Sequence, residues 1–397
     1  MKYRFRSHSS RLATLMVATG AGNRVEFDTE YSSGIAHFME HMRFKGTYER
    51  TAKDLLKTVA HNGGEMNAWT SEDNSGYYIT IPEENIEVAF DCLAGVALYP
   101  IFPEYEIAKE KDVVGQEIMS EEDDIDENLY QETMLWAFSN SLTYPILGFK
   151  DSVANITRDE LLKFNKEFYN KEQLLVVLSA RDDYSHFMEK YFGIPDGVLA
   201  FRPSLSNVKY GKSVAGKIKK EGYPQSSIMM SFGSDKIHHA AHHNRALLHV
   251  FNTMFGAEDD SRLFMRIRED LGLVYGIDSI LHNALDGTLF SITTEAESYK
   301  EDTIVAAINE EINKMCSDKP TSEELVRAKN RLKSSLYGFL DTSLGKSNLV
   351  VKEEFHNYSV DSKFLAQIDS VTVDEVFQMS KDVFSGNKYV AIGTGTD

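Results

Sequence analysis

Residues 34–46, GIAHFMEHMRFKG, carry His37, Glu40 and His41 in the order H-x-x-E-H. On a helix, side chains four apart share a face, so the two imidazoles can grip one ion between them. The order is the reverse of the H-E-x-x-H pattern by which a helix holds zinc. Glu40 follows the first histidine by three, which sets a carboxylate beside the ion yet leaves it free to handle a proton. At about 100° per residue the three side chains span roughly a quarter turn, and Ile35, Phe38, Met39 and Met42 gather on the opposite side. One face suits a core and the other suits chemistry. Two histidines so spaced can equally be structural. The reading therefore requires a third ligand elsewhere, because a catalytic zinc keeps three protein ligands and one open position for water.

HFMEHMRFKGT (37–47) resembles the HFLEHMxFKGT signature of the inverzincin peptidases, the family of pitrilysin, insulysin and the β subunit of the mitochondrial processing peptidase. GGEMNAWTSEDNSGYY (63–78) is similar to that family's GG-x-x-NA-x-T-x-x-x-x-x-x-Y segment, and SRLFMRIREDLGLVY (261–275) to its SRLF…R…GL-x-Y segment. The resemblance implies a glutamate ligand about seventy-six residues beyond the second histidine, and that position is Glu117, in EKDVVGQEIMSEE. It also implies that Glu110, two helical turns earlier on the same face, orients a ligand rather than binding metal. Asn67 and Ala68 match the strand that pairs with extended peptide, and Arg268 and Tyr275 match a pair that contacts substrate near the scissile bond.

The implied protein is a zinc-dependent endopeptidase with one Zn2+ per chain. Zinc on His37, His41 and Glu117 would pull its bound water towards neutrality. Glu40 would act as the general base as water attacks the peptide carbonyl, then return the proton to the amine. The implied fold is α+β, with two related halves, each a mixed β-sheet packed with helices, together forming half of a clamshell. A homodimer is then the first expectation, with a heterodimer with a metal-free homologue as the alternative. Two other readings stand beside it: a processing subunit active only with a partner chain, and a non-catalytic, structural core-like subunit. The latter would have no need of an intact His37, Glu40, His41 and Glu117 set. Departures from the family pattern are Glu72 and Asp73 in place of an Arg-Glu pair, Arg43 where a hydrophobic residue is usual, and Asn23 before Arg24 where serine is typical.

A chain of 397 residues, 42% hydrophobic, can bury more than one core, which makes two domains the natural expectation. We read 1–192 as the zinc-binding catalytic domain, 193–216 as a linker richer in Gly, Pro and Ser, and 217–397 as a substrate-binding domain of the same fold. A net charge of −19, without a Lys/Arg cluster, argues against nucleic acid and for peptide substrates that are basic or unfolded. The acidic run 121–128 reads either as chamber lining or as a solvated helix end. Two cysteines are too few for a disulfide framework and fit a reducing compartment. No apolar stretch is long enough to cross a membrane. The basic, Ser-rich start faintly suggests an organellar transit peptide, but RLATLMVATGAG reads better as the first strand of the fold, so a cytoplasmic site is expected rather than an organellar matrix.

Apolar spacing predicts strands at 13–19, 76–81, 174–180, 227–232 and 287–296. It predicts helices at 52–62, 86–98, 105–121, 158–169, 244–255 and 261–271, with Thr157 as an N-cap. The run HHAAHH (238–243) has helical metal spacings but no accompanying carboxylate, so no second metal site is expected.

Overall fold

Among the described residues, strands rich in apolar residues number ten, and the computed structural model gathers them into two five-stranded sheets. The structure describes residues 1–197, 199, 208–237, 242–356 and 362–395. In the first sheet lie β1 (Lys2–Ser7), β2 (Leu12–Thr19), β3 (Glu65–Thr70), β4 (Ser75–Pro82) and β5 (Leu175–Ala180), in the order β1-β5-β2-β4-β3. The second sheet comprises β6 (Val214–Lys220), β7 (Ser226–Gly233), β8 (Ile277–Asn283), β9 (Thr288–Ala296) and β10 (Asn387–Gly395), in the order β6-β10-β7-β9-β8. The two orders are the same topology. In each sheet the first strand pairs parallel with the last and every other pairing is antiparallel. Each sheet is mixed and packed with helices, as expected for two related halves.

β2 and β5 are apolar on both faces because helices cover both. Leu15, Val17, Val176 and Leu178 face a core shared with α1 (Ile35–Arg43), α2 (Ala52–His61) and α3 (Ile86–Leu98). Met16, Ala18, Leu175 and Val177 face Val350, Val351 and Phe355 of the helix Ser343–His356. In the second sheet, Phe290 of β9 packs with Phe251, Phe255 and Phe384. Its other face receives Leu129 and Met134.

The division of the chain differs from the contiguous one expected. One compact unit comprises 1–120, 144–204 and 337–359, and the other 121–143, 205–336 and 360–397. After α4 (Glu104–Asp123), α5 (Ile125–Ala137) leaves the first half and packs on β10 and β7, while Ser343–His356 returns from the second half to pack on β5 and β2. The reason lies in the residues. A Cβ on Gly393 of β10 would sit 2.3 Å from Ile125 Cγ1, so glycine there admits α5 closely. On the returning helix, Glu354 takes Lys2 and Arg4 at 2.6 Å each, and Glu353 takes Arg6 at 2.7 Å.

Those ion pairs explain a strand that the apolar pattern missed. β1 reads KYRFRS, with Tyr3 and Phe5 turned to the core and the three cations turned to the acidic helix. The basic start of the chain is thus part of the sheet, ahead of the strand taken as first. The acidic run 121–128 closes α4 and opens α5, where Asp124 accepts the N–H of Asp126 and Glu127. Thr157 caps its helix as predicted. Cys92 is buried, Cys316 half-buried, and both are free thiols. Among the described residues no helix is long and apolar enough to cross a membrane. In the run 238–243, residues 238–241 lie outside the described residues, as do the side chains of His242 and His243.

Candidate metal centre

α1 is set in place at both ends. Its first residues follow Gly34, which adopts φ +92°, and a Cβ there would lie 2.5 Å from the Leu147 carbonyl oxygen. No side chain at that position can cap the helix. Glu26 does it from eight residues upstream, accepting the N–H of Gly34 at 2.7 Å and of Ala36 at 2.8 Å. Burial pushes the Glu26 carboxyl up to about 8, while these two N–H groups pull the other way.

At the C-terminal end, Arg43 is fully buried. Its guanidinium donates to the carbonyls of Val96 and Ala97 at 3.0 Å each and to Asn165 Oδ1, and lies 3.7 Å from the Tyr169 ring centroid. The hydrophobic position of the family pattern is thus filled by a cation that binds the last carbonyls of α3, where a helix end favours positive charge. Two of the other departures are structural ties as well. Asp73 pairs with Arg24 at 2.8 Å in a buried site, and Asn23 donates to the Tyr144 carbonyl.

Between these anchors α1 turns Ile35, Phe38, Met39 and Met42 into the core and presents His37, Glu40 and His41 along α4. Glu117 Oε2 lies 3.9 Å from His37 Nε2 and 3.6 Å from His41 Nε2, and one donor atom from each of the three falls within 4.8 Å of the others. These separations are too long for mutual hydrogen bonds. They approach the edge of roughly 3.4 Å that a tetrahedral ion with bonds near 2.1 Å imposes on its ligands. Two nitrogens and a carboxylate oxygen are also a zinc donor set, so the residues fit the ion.

The surrounding charges prepare the donors. Burial and the neighbouring His41 push His37 down to about 3, so it is a neutral imidazole with a free lone pair. His41 Nδ1 meets Glu110 Oε1 at 2.7 Å. Burial alone would lower His41, but the bond to Glu110 and the charges of Glu117, Glu110 and Glu40 outweigh it and raise its pKa. With its Nδ1 proton directed at Glu110, His41 turns Nε2 towards Glu117. Glu110 is itself held by Lys45 Nζ at 2.5 Å. Burial raises that carboxyl, but the bonds from His41 and Lys45 outweigh it and hold it below its ordinary value. Glu40 is pushed up by burial and by Glu117, against the lowering of a Thr70 hydrogen bond and of His41.

Four residues expected to meet substrate divide between two places. Asn67 and Ala68 lie on β3, an edge strand, where Asn67 Oδ1 accepts the N–H of Ala68 at 2.8 Å. Arg268 and Tyr275 lie in the second unit, the guanidinium carbon 5.1 Å from the Tyr275 ring centroid and 4.6 Å from that of Phe264. Tyr275 is 88% exposed. The helix expected at 261–271 is wound as a π-helix over Phe264–Asp270, with the Leu271 N–H bonding five residues back to Arg266. Such wider turns concentrate at functional sites. Lys45, Thr70 and Glu26 are the residues that spacing did not reveal. The first two lie within the quoted signatures, and nothing local marks Glu26.

Residues 5–148 match the family described as Insulinase (Peptidase family M16), and residues 155–332 match the Peptidase M16 inactive domain. A Rickettsia felis protein named an uncharacterized zinc protease is 30% identical over 373 residues, 92% of this chain and 88% of that protein. The chain belongs to peptidase family M16. Another relative in the family, YmxG of Bacillus subtilis, also named an uncharacterized zinc protease, is 26% identical over 388 residues, 96% of this chain and 93% of that one. The M16 fold is matched by a peptidase M16 inactive domain from Pseudomonas fluorescens, at TM-score 0.86 and 17% identity over 100% of this chain and 95% of that one. A protease from Helicobacter pylori matches at TM-score 0.85 and 19% identity, over 98% and 96% of the two chains.

Proposed function

We propose that this M16 chain is a zinc-dependent endopeptidase that cleaves peptides or unfolded segments, with His37, His41 and Glu117 as metal ligands and Glu40 as general base. The observation that carries the reading is the convergence of the three donor atoms within 4.8 Å beside the Glu40 carboxylate. When bound, zinc supplies a Lewis acid that polarises the peptide carbonyl and acidifies water. Glu40 removes a proton from the attacking water and returns it to the leaving amine. Glu110 keeps the His41 proton on Nδ1, leaving Nε2 for the metal. Substrate would add to the edge of β3 at Asn67 and Ala68 through main-chain hydrogen bonds, and Arg268 with Tyr275 would supply further contacts.

The charge of −19 favours basic peptides. A chain carrying both the ligand set and the Arg268–Tyr275 pair is equipped to work as a homodimer. Two free cysteines suit a reducing, cytoplasmic setting.

The test is cleavage of a quenched fluorescent basic peptide together with metal analysis. The wild type should hold one zinc per chain and cleave. Glu40→Gln should keep zinc and lose cleavage, and His37→Ala or chelation should lose both. Cleavage by Glu40→Gln at the wild-type rate, or a wild type that neither binds zinc nor cleaves, overturns the proposal.

A further inference from the structure

The hydroxyl of Thr70 donates to Glu40 Oε2 at 2.5 Å. Thr70 is the last residue of β3, and the pleat decides which way it points. Successive strand side chains alternate between faces, and Met66 and Ala68 pack on the core that contains Phe38 and Met39 of α1. Trp69, between Ala68 and Thr70, turns instead towards Val350 and Phe355. Thr70 therefore falls on the α1 side and reaches the one carboxylate of that helix. A hydroxyl has a single proton to give, and Oε2 receives it. Among the described residues no protein group donates to Oε1.

We propose that Thr70 is a positioning residue for the general base. It pins one oxygen of Glu40 so that Oε1 is the atom offered to the attacking water, and it ties that atom's place to the register of the strand on which a peptide would add. The water's O–H bond breaks as its oxygen bonds to the carbonyl carbon, and the proton passes to Oε1; the C–N bond then breaks as that same proton moves from Oε1 to the departing nitrogen. Without the hydroxyl the carboxylate can rotate about its own axis, and both oxygens share the role poorly.

This inference rests on the peptidase reading, and its test separates the two. Thr70→Val keeps the shape and removes the donor, whereas Thr70→Ser keeps the donor. With a fluorescent peptide, kcat of the Val variant should fall roughly 10- to 100-fold, part of the 10²–10⁴ that a general base supplies. Its KM and zinc content should stay at wild-type values, and the Ser variant should stay within about threefold of wild-type kcat. A Val variant with wild-type kcat overturns the assignment and leaves the peptidase reading standing. So does a Ser variant that falls as far as Val, or a Val loss that appears in KM or zinc content. A wild type that holds zinc but cleaves nothing removes the peptidase reading, and the role of Thr70 with it.

Discussion

Replacing Arg43 asks what a cation buried without a carboxylate contributes beneath a metal helix. Its guanidinium makes three hydrogen bonds, two of them to the final carbonyls of α3, and it stacks on Tyr169. Bonds from a charged donor contribute about 1.5–3 kcal/mol each, and the stacked ring adds about 2 kcal/mol in a desolvated site. Against this, taking an ion out of water costs several kcal/mol. Arg43→Ala removes all of these terms, strands the Val96 and Ala97 carbonyls and leaves a cavity. The net loss should be about 3–5 kcal/mol, from the cavity of a large-to-small core change together with the stranded acceptors. Arg43→Met fills the space and removes the desolvation cost, so the stranded acceptors set the loss: the Val96 and Ala97 carbonyls and Asn165 Oδ1, at about 1–3 kcal/mol for each one left without a partner. The assay is urea unfolding of metal-free protein, which excludes zinc linkage. The chain has two tryptophans, Trp69 and Trp136, in different units. Trp136→Phe therefore leaves Trp69 as a reporter of the unit that holds α1. If Arg43→Met is as stable as its parent and Arg43→Ala costs under about 1 kcal/mol, the desolvation cost cancels the bonds and the account of this end of the helix is wrong.

Three further outcomes are expected. Glu324 accepts from Arg262 at 2.7 and 3.1 Å and from the Thr321 N–H at 2.7 Å. Burial opposes these donors, yet they hold its carboxyl at about 2, so its contribution is complete above the ordinary carboxylate value and fades as pH falls towards 2. Glu324→Gln should therefore cost about 2 kcal/mol at pH 6, after discounting for solvent, and the gap to wild type should close between pH 4.5 and 2 in denaturant melts. Gly34→Ala forces a side chain into φ +92° and against Leu147 and Val153. A loss of about 3 kcal/mol or more should appear in thermal melts, with weaker zinc retention. Glu354→Gln breaks the pairs with Lys2 and Arg4 and should cost about 1–3 kcal/mol, with faster amide exchange in β1 than in β2.

What was legible in the sequence follows from range. His37, Glu40 and His41 share one short helix, so their common face could be read from spacing alone. Glu117 was reachable only by resemblance, because nothing in an acidic stretch of α4 distinguishes it before the helix packs beside α1. β2 and β5 announced themselves as apolar runs. β1 did not, because its three cations answer to acids as far as 352 residues away. The exchange of helices is hidden for the same reason, since nothing local in α5 or in Ser343–His356 assigns it to one sheet rather than the other. Winding over Phe264–Asp270 as a π-helix left no mark in the apolar spacing. The same holds for Thr70 and Lys45, whose roles come from a pleat direction and a turn after α1.

On the proposed reading, this chain itself builds a zinc centre from two imidazoles and one carboxylate. Zinc K-edge X-ray absorption of the reconstituted protein tests it directly. One zinc per chain is expected, with only nitrogen and oxygen neighbours at about 2.0–2.2 Å and the outer-shell pattern of two imidazole rings. Sulfur neighbours, a pattern of one ring or none, or no retained zinc would contradict it.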